Sequence, residues 1–315
     1  VSIVNFNQIN PVTGKTYTQN QRRPLCGAED ALGNCTRIPF SLGNYYGNDA
    51  ASTYNSLQLK IDKRFSRGLQ FLAHYTFSHA NNYSDTYYAI NHDIAWGPVD
   101  FNRNHVFVVN TVYELPFGKG RPYMGGAGKA LNYVVGGWQL SNTTNWSSGL
   151  PWTPSTSECG KEQDVNVCRP NSGPGSFNVG AGDFDPITHT VPFFTPLATQ
   201  NPNGTFTSNL LAGPTGGFGL PGQGQLGNIG RNSFHGPRGF YSDLSVVKVF
   251  PIGEKLRAQF RMDAFNVFNH PVYAFSANNG ANPCIDCGGG NNGKITGLEG
   301  GTSMRQLQFA IRFDF

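Results

Sequence analysis

The feature that most restricts the fold is a strict alternation of apolar and polar residues along unusually long segments. The clearest run lies at the C-terminus, where the apolar members are Leu307, Phe309, Ile311, Phe313 and Phe315. A period of two places these side chains on one face of an extended strand and the intervening polar residues on the other face. Six further segments show the same alternation, at 57–62, 69–78, 107–115, 138–148, 240–250 and 256–264. We therefore predict seven strands, about twice as long as the roughly 5–6 residues of a mean globular strand.

The connections between these segments fall into two classes of length. Turns 66–68, 118–136 and 251–255 contain 3, 19 and 5 residues, whereas loops 81–104, 149–239 and 269–302 contain 24, 91 and 34 residues. Because the two classes alternate along the chain, all the short turns lie at one end of an antiparallel sheet. Long strands with short turns at one rim and long loops at the other are typical of an outer-membrane β-barrel. The fold class expected is an antiparallel transmembrane β-barrel segment with long extracellular loops.

Composition agrees with this class and excludes others. Gly and Pro supply 40 and 20 of the 315 residues, well above average usage, which excludes a helical bundle. Charged residues make up 13% and the net charge is +4, so we expect no nucleic-acid partner. The chain contains no uninterrupted apolar run of the 18 or more residues that a membrane-spanning helix needs. The alternative class is a secreted β-sandwich, which predicts shorter strands and loops of mixed length at both ends.

Several motifs carry a resemblance to a known family. They lie at 54–59 (YNSLQL), 63–69 (KRFSRGL), 75–78 (YTFS), 113–120 (YELPFGKG), 136–139 (GGWQ), 149–151 (GLP), 227–232 (GNIGRN), 243–245 (DLS) and 261–271 (RMDAFNVFNHP). Together they resemble the C-terminal barrel of TonB-dependent outer-membrane receptors, and most closely the Oar-like subgroup with a carboxypeptidase-regulatory-like domain. The resemblance extends from Ala51 to Phe315.

The resemblance implies a barrel of 22 strands around an N-terminal plug, energised by the TonB system, in the outer membrane of a Gram-negative-type bacterium. We expect 53–315 to be the C-terminal strands of such a barrel, and 1–52 to be an outer loop with the end of a preceding strand. Since the chain begins at Val1, without an initiator Met or signal segment, we expect it to be part of a longer protein.

The polar face and the outer loops supply the candidate functional residues. Charged residues that alternate with apolar ones must share an aqueous side, which predicts a set of lumen-facing residues: Lys60, Asp62, Arg257, Arg261, Asp263 and Arg312. A second set could contact a planar ligand or a sugar from one outer loop, or simply pack together: Tyr83, Tyr87, Tyr88 and Trp96. The terminal aromatic run resembles the signal read by the barrel-assembly machinery: Phe309, Ile311, Phe313 and Phe315.

Six cysteines occur as three close pairs in Gly- and Asn-rich loops. The pairs are Cys26 with Cys35, Cys159 with Cys168, and Cys284 with Cys287. We predict that each pair forms a disulfide within its loop, because such usage suits an oxidising compartment. A four-Cys zinc site would need a second CxxC motif, which the sequence does not contain.

We predict no catalytic residue, no cofactor and no metal. Hydrolase and phosphate-binding motifs are absent from the sequence. A metal site at His74, His79, His92, Asp93 and His105 is considered, but these residues lack ligand spacing. The irregular position of Lys248 in its strand predicts either a bulge or an interfacial end.

Two functions share this fold. In the first, the chain supplies the channel wall and the substrate-contacting loops of a TonB-dependent transporter. In the second, the barrel anchors a surface-display or adhesion protein. We expect the partners to be outer-membrane lipid, the barrel-assembly machinery, the plug and TonB system, and an extracellular ligand that the sequence does not identify.

Overall fold

The wall of the molecule is a single antiparallel sheet of seven long strands. The structure, a computed structural model, describes residues 14–15, 28–29, 35–37, 50–83, 92–156, 169–172, 180–194, 198–200, 206–208, 218–219, 227–253, 256–275, 284–285 and 293–315. The seven strands are β1 (Ser52–Ser66), β2 (Leu69–Tyr83), β3 (His105–Glu114), β4 (Trp138–Ser147), β5 (Gly239–Pro251), β6 (Arg257–Phe265) and β7 (Gln306–Asp314). Each pairs with its neighbour in chain order, so all seven predicted strands are present.

The first hairpin is longer than the alternation indicated. Strands β1 and β2 each contain 15 residues, because polar residues beyond the apolar run continue the ladder. A two-residue turn joins them, with φ values of 52° at Arg67 and 82° at Gly68. Positive φ at both central residues matches the twist of a hairpin. A side chain at Gly68 would also meet the carbonyl oxygen of Glu114 at 2.8 Å.

The connection between β3 and β4 contains the helix α1 (Lys129–Val135). The Asn132 side chain organises this segment, because its Oδ1 atom accepts a hydrogen bond from the Lys119 backbone N–H at 2.7 Å. Gly118 has φ 110°, and a side chain there would lie 2.7 Å from that oxygen. We call the end of the sheet that carries 67–68, 115–137 and 252–253 the turn end, and the opposite end the loop end. In the described ranges, no helix is both long and apolar enough to cross a membrane.

Strand β5 keeps a continuous register with both of its neighbours. Its pairing with β4 and β6 runs without a shift through Lys248, which lies opposite Trp138 and Phe260. Of the two alternatives predicted there, the bulge is wrong, and Lys248 lies near the turn end of its strand. The shift that does occur in the wall lies at the first hairpin, between Lys63 and Ser66.

The loop end is built from short paired segments. The 3-10 turn His92–Ala95 leads into Trp96–Pro98, which adds to β2. Further two-stranded pairs are Ala28–Glu29 with Cys35–Arg37, Pro151–Trp152 with Phe234–His235, Asn171–Ser172 with Phe218–Gly219, Val191–Pro192 with Lys294–Ile295, and Ala198–Gln200 with Phe206–Ser208. Among these pairs, Val191–Pro192 with Lys294–Ile295 joins loop 149–239 to loop 269–302, whereas the others lie within one segment.

The sheet is open: β1 and β7 are its two edges and do not pair with each other. Among the described residues, no second large sheet faces this one, which is the arrangement a β-sandwich requires. The all-β antiparallel class is confirmed, whereas neither a closed barrel nor the number of its strands is seen. The predicted remnant of a preceding strand in 1–52 falls largely outside the described residues.

Candidate functional site: the two faces of the wall and the loop assembly

The register places most of the large apolar residues of the seven strands on one face of the sheet, whereas Val108 of β3 and Val247 of β5 lie on the other face. Leu57 pairs with Phe77, and Phe309 pairs with Met262, so the alternation remains in phase from strand to strand. Large side chains on this face are open to the surroundings: Phe309 is 60% exposed and Ile311 is 67% exposed. An apolar surface of this extent is typical of a face that contacts protein or lipid. Of the four predicted assembly-signal residues, Phe309, Ile311 and Phe313 lie on this face in β7, and Phe315 follows the end of that strand and is exposed.

The six predicted lumen residues share the opposite face, which we call the polar face. Lys60 and Asp62 lie on the edge strand β1, and the other four lie on β6 and β7 at the far edge of the sheet. The ion pairs on this face join residues two positions apart in the same strand. Arg261 Nε is 2.9 Å from Asp263 Oδ1, and Arg312 Nε is 2.7 Å from Asp314 Oδ1. Lys60 and Asp62 approach to 3.7 Å. Most of these groups are exposed, so each pair adds little stability but keeps a hydrated surface. That this face lines a lumen stays a prediction.

A polar cluster on the apolar face escaped the sequence prediction. Asn142 Nδ2 donates to Ser242 Oγ at 2.9 Å, and Thr144 Oγ1 donates to Asn142 Oδ1 at 2.8 Å. Ser242 is only 1% exposed. Because the three side chains satisfy one another, they avoid the cost of unpaired polar groups in apolar surroundings. The signal available in the sequence was the presence of polar residues, in adjacent strands, at positions where the alternation would place apolar residues.

The long loops enclose an aromatic core at the loop end. Trp152 is 2% exposed, and its ring stacks on Phe194 with centroids 5.5 Å apart and an interplanar angle of 9°. Phe275 meets the same indole edge-on at 4.8 Å. The buried members are Trp152, Val191, Phe193, Phe194, Phe218, Ile229, Phe275, Ile285 and Ile295. Sequence reasoning missed this core, because its residues come from separate loop segments without periodicity.

The GNIGRN segment fastens these loops to the wall. The Arg231 guanidinium donates to the Asn82 carbonyl oxygen at 3.0 Å and to Asp100 Oδ1 at 3.2 Å. Asn232 exchanges hydrogen bonds with Thr153, with its backbone N–H 2.8 Å from Thr153 Oγ1, and donates to the Pro98 carbonyl oxygen at 2.7 Å. The motif is therefore a clamp between the loop 149–239, the end of β2 and the Trp96–Pro98 strand.

Two more arginines fasten other loops. Arg103 contacts Glu299 and donates to the Ser148 carbonyl oxygen at 2.6 Å. Arg169 donates to the backbone oxygens of Ile94 and Ile229. Burial lowers the Arg169 pKa, and the nearby charge of Arg231 lowers it further. An arginine suits such positions because its fork of N–H donors satisfies several carbonyl oxygens at once.

Among the predicted loop aromatics, the structure describes Tyr83 and Trp96. Their rings lie 4.9 Å apart at an angle of 60°, an edge-to-face contact that backbone pairing between β2 and Trp96–Pro98 imposes. Tyr87 and Tyr88 lie outside the described residues. A ligand-contacting role for this set stays a prediction.

The cysteine predictions fall mostly outside the described residues. Cys284 is 3% exposed and takes part in a disulfide, and its backbone bridges to Ser155. For Cys35 the structure describes the backbone strand alone. The pairing of the six cysteines therefore stays a prediction, including the expected bond between Cys284 and its neighbour three positions on. The cysteines that lie outside the described residues are Cys26, Cys159, Cys168 and Cys287.

The histidines considered as metal ligands do not all share one face of the sheet. His74 pairs with Lys60 on the polar face, whereas His105 pairs with Phe77 on the apolar face. His105 instead lies 2.8 Å from the Tyr75 hydroxyl through its Nδ1 atom. Within the part of the chain that the structure describes, no group of three or more His, Cys, Asp or Glu residues could hold a metal ion.

A groove opens between the loops near the start of β7. It encloses about 790 Å³ of space open to solvent, and its lining is mainly apolar: Phe184, His189, Val191, Tyr273, Ile295, Thr296, Gly297, Leu298 and Met304. The adjacent turn is held by Asp185, whose carboxylate accepts the Thr188 hydroxyl at 2.7 Å and the Ile187 N–H at 2.8 Å. These hydrogen bonds lower the Asp185 pKa. The Asp185 carboxylate therefore stabilises the turn.

One comparison with known proteins identifies the family. A family model described as an outer membrane beta barrel domain matches residues 1–308. The chain therefore belongs to the outer membrane beta barrel domain family, and this membership points to the bacterial outer membrane as its location. No curated protein and no solved structure matches the chain. The exposed apolar face is then the surface that a membrane barrel presents to lipid.

Proposed function

We propose that the chain is the C-terminal wall of a TonB-dependent outer-membrane receptor of the Oar-like subgroup. The observation that carries the proposal is the separation of faces across seven strands, with the six predicted lumen residues on the side away from lipid. Such a face can remain hydrated or contact a folded plug. The resemblance of the sequence motifs supports the subgroup, and one of these motifs, GNIGRN, forms the clamp that holds a large outer loop in place.

In this proposal the sheet is one sector of a larger barrel, with 22 strands in the resembled family. The unpaired outer edges of β1 and β7 need partners, because open backbone edges are not tolerated in hydrocarbon. Seven is also an odd number, whereas bacterial single-chain barrels have even counts. Expressed without further strands, the 315 residues should aggregate or close as a small non-native barrel.

Transport is tested with the full-length gene product. A deletion strain, a strain lacking the TonB energy system and the complemented strain are compared for growth and uptake on limiting nutrients. Equal loss of uptake in the first two strains, with recovery on complementation, supports the proposal. Uptake that is unchanged in the strain lacking the energy system contradicts it.

The second candidate is surface display or adhesion. Apolar residues that project from the loop end favour it, because Ile187 is 88% exposed and Phe184 is 53% exposed. Exposed apolar side chains beyond a membrane are available for contact with a surface or another protein. Loss of adherence in the deletion strain, with normal uptake, favours this role over transport.

Both functions require the loop end to face outward. We expect a Cys introduced at Ile187 to react with a membrane-impermeant thiol reagent on intact cells, and one introduced at Gly253 in the turn end to react only after lysis. Reaction of Gly253→Cys alone on intact cells would reverse the orientation.

A further inference from the structure

The turn segment 115–137 is docked on the lipid-facing side of the wall. Lys248 lies on the apolar face, is 2% exposed, and donates to the carbonyl oxygens of Val134 and Gly136 at the end of α1. The Trp138 indole, also on the apolar face, donates to the Val134 carbonyl oxygen at 2.8 Å. A lysine is tolerated at this position because the unpaired carbonyl oxygens at a helix C-terminus accept hydrogen bonds from its ammonium group.

This docking leaves α1 at the edge of the apolar face with its own apolar residues uncovered. Val134 is 67% exposed, and the helix has no buried residue. The Tyr133 hydroxyl donates to the Pro251 carbonyl oxygen in the next turn, which fixes the helix against the rim. A short helix with uncovered aliphatic and aromatic residues beside a lipid-facing wall is suited to the level where hydrocarbon meets headgroups.

The charge of the same segment has one sign. Residues 115–137 contain Lys119, Arg121 and Lys129 and no Asp or Glu. Arg121 is paired with Glu114 at 2.8 Å, whereas Lys119 and Lys129 have exposed side chains. The neighbouring hairpin turn adds Arg67 and is joined to this segment by the Glu114 N–H, which donates to the Gly68 carbonyl oxygen at 2.7 Å.

We propose that segment 115–137 is a binding site for anionic phospholipid headgroups in the membrane leaflet at the turn end. The exposed apolar residues of α1 enter the acyl region, and Lys119 and Lys129 contact the phosphate-bearing headgroups. Charge complementarity favours an anionic over a zwitterionic lipid. Each basic residue near an anionic membrane contributes about five-fold in binding, which corresponds to about 1 kcal/mol. The inference rests on membership in the membrane barrel family and is independent of whether the protein transports or adheres.

The test measures lipid preference in the purified full-length protein. The protein is placed in mixed micelles with equal amounts of phosphatidylglycerol and phosphatidylcholine, and bound lipids are counted by native mass spectrometry. We expect phosphatidylglycerol to be retained preferentially, and the double variant Lys119→Glu with Lys129→Glu to reduce that preference at least five-fold. Lys248 stays unchanged, so the docking of α1 is kept.

The matched control reverses two charges at the same end on the opposite face. Arg257 and Arg312 lie on the polar face near the turn end, and Arg257→Glu with Arg312→Glu should leave the lipid preference unchanged. Heat-modifiable migration in electrophoresis confirms that each variant is folded, and Lys119→Gln with Lys129→Gln replaces the reversal if it is not. Equal retention of the two lipids by the wild-type protein, an equal loss in the control, or displacement of the lipid by inorganic phosphate would overturn the proposal.

Discussion

The wall and the loop assembly use apolar residues in opposite ways. Phe309 in the wall is 60% exposed, whereas Trp152 in the loop assembly is 2% exposed. The wall keeps its apolar side chains outside and depends on lipid to cover them, while its backbone groups are satisfied by strand pairing. The loop assembly buries its aromatic rings within the protein, as a water-soluble domain does. The wall is therefore adapted to lipid and the loop assembly to water, so the same kind of substitution should have different effects in the two regions.

The largest expected effect separates the two regions directly. Trp152→Ala removes the central ring of the aromatic core and should destabilise the loop assembly by about 3–5 kcal/mol, with little change in the wall. Limited proteolysis should show faster cleavage in the loop 149–239, while heat-modifiable migration is kept. Phe184→Ala, at an exposed loop position, is the control. Loss of heat-modifiability in Trp152→Ala would mean that the wall depends on the loop core.

The next effect tests the lipid side of the comparison. Phe309→Arg places a charge on the apolar face and should cost about 2–4 kcal/mol if the site lies near the bilayer midplane. Gln308→Arg, one residue away on the polar face, should stay within about 0.5 kcal/mol. Denaturant unfolding of the full-length protein in lipid vesicles measures both. Equal costs for the two variants would remove the distinction between the faces.

A smaller effect is expected at the end of the wall. Deletion of Phe315 or Phe315→Asp should lower the yield of assembled barrel in the membrane, because the terminal aromatic completes the predicted assembly signal. The quantity measured is the heat-modifiable fraction in outer-membrane preparations. Asp314→Asn changes the preceding polar-face residue and should leave the yield unchanged. Normal insertion of the deletion variant would reduce Phe315 to a lipid-facing side chain.

The smallest effect is a pH response confined to the loop assembly. Partial loss of hydration lowers the His235 pKa, and the nearby His79 lowers it further. Its Nε2 atom lies 3.3 Å from Asn104 Nδ2, a contact that suits the neutral ring. Because the folded-state pKa is depressed, the unfolded state takes up the proton first, and stability falls as the pH drops below about 6.5. Proteolysis of the loop from pH 8 to 5.5 should accelerate, and His235→Gln should flatten that dependence.

Periodicity made the wall predictable. The alternation around Leu307 or Leu57 is local, and a period of two assigns each side chain to a face before any partner strand is known. The seven strands of the wall, their pairing order and the common face of the six ionic residues therefore followed from the sequence. Lys248 could not be placed in the same way. It occupies a position that the alternation assigns to the apolar face, and the carbonyl oxygens at the end of α1 are what satisfy its charge there.

Only the tertiary structure decided the loop assembly and the docking of α1. Trp152 and Phe275 are 123 positions apart in the numbering, and no local pattern records that they share a core. The Asn142, Thr144 and Ser242 cluster likewise forms only when β4 and β5 are in register. The sequence by itself determined the membrane wall, because strand faces are set by neighbours in the chain. The loops required the fold, because their contacts join residues that the chain keeps far apart.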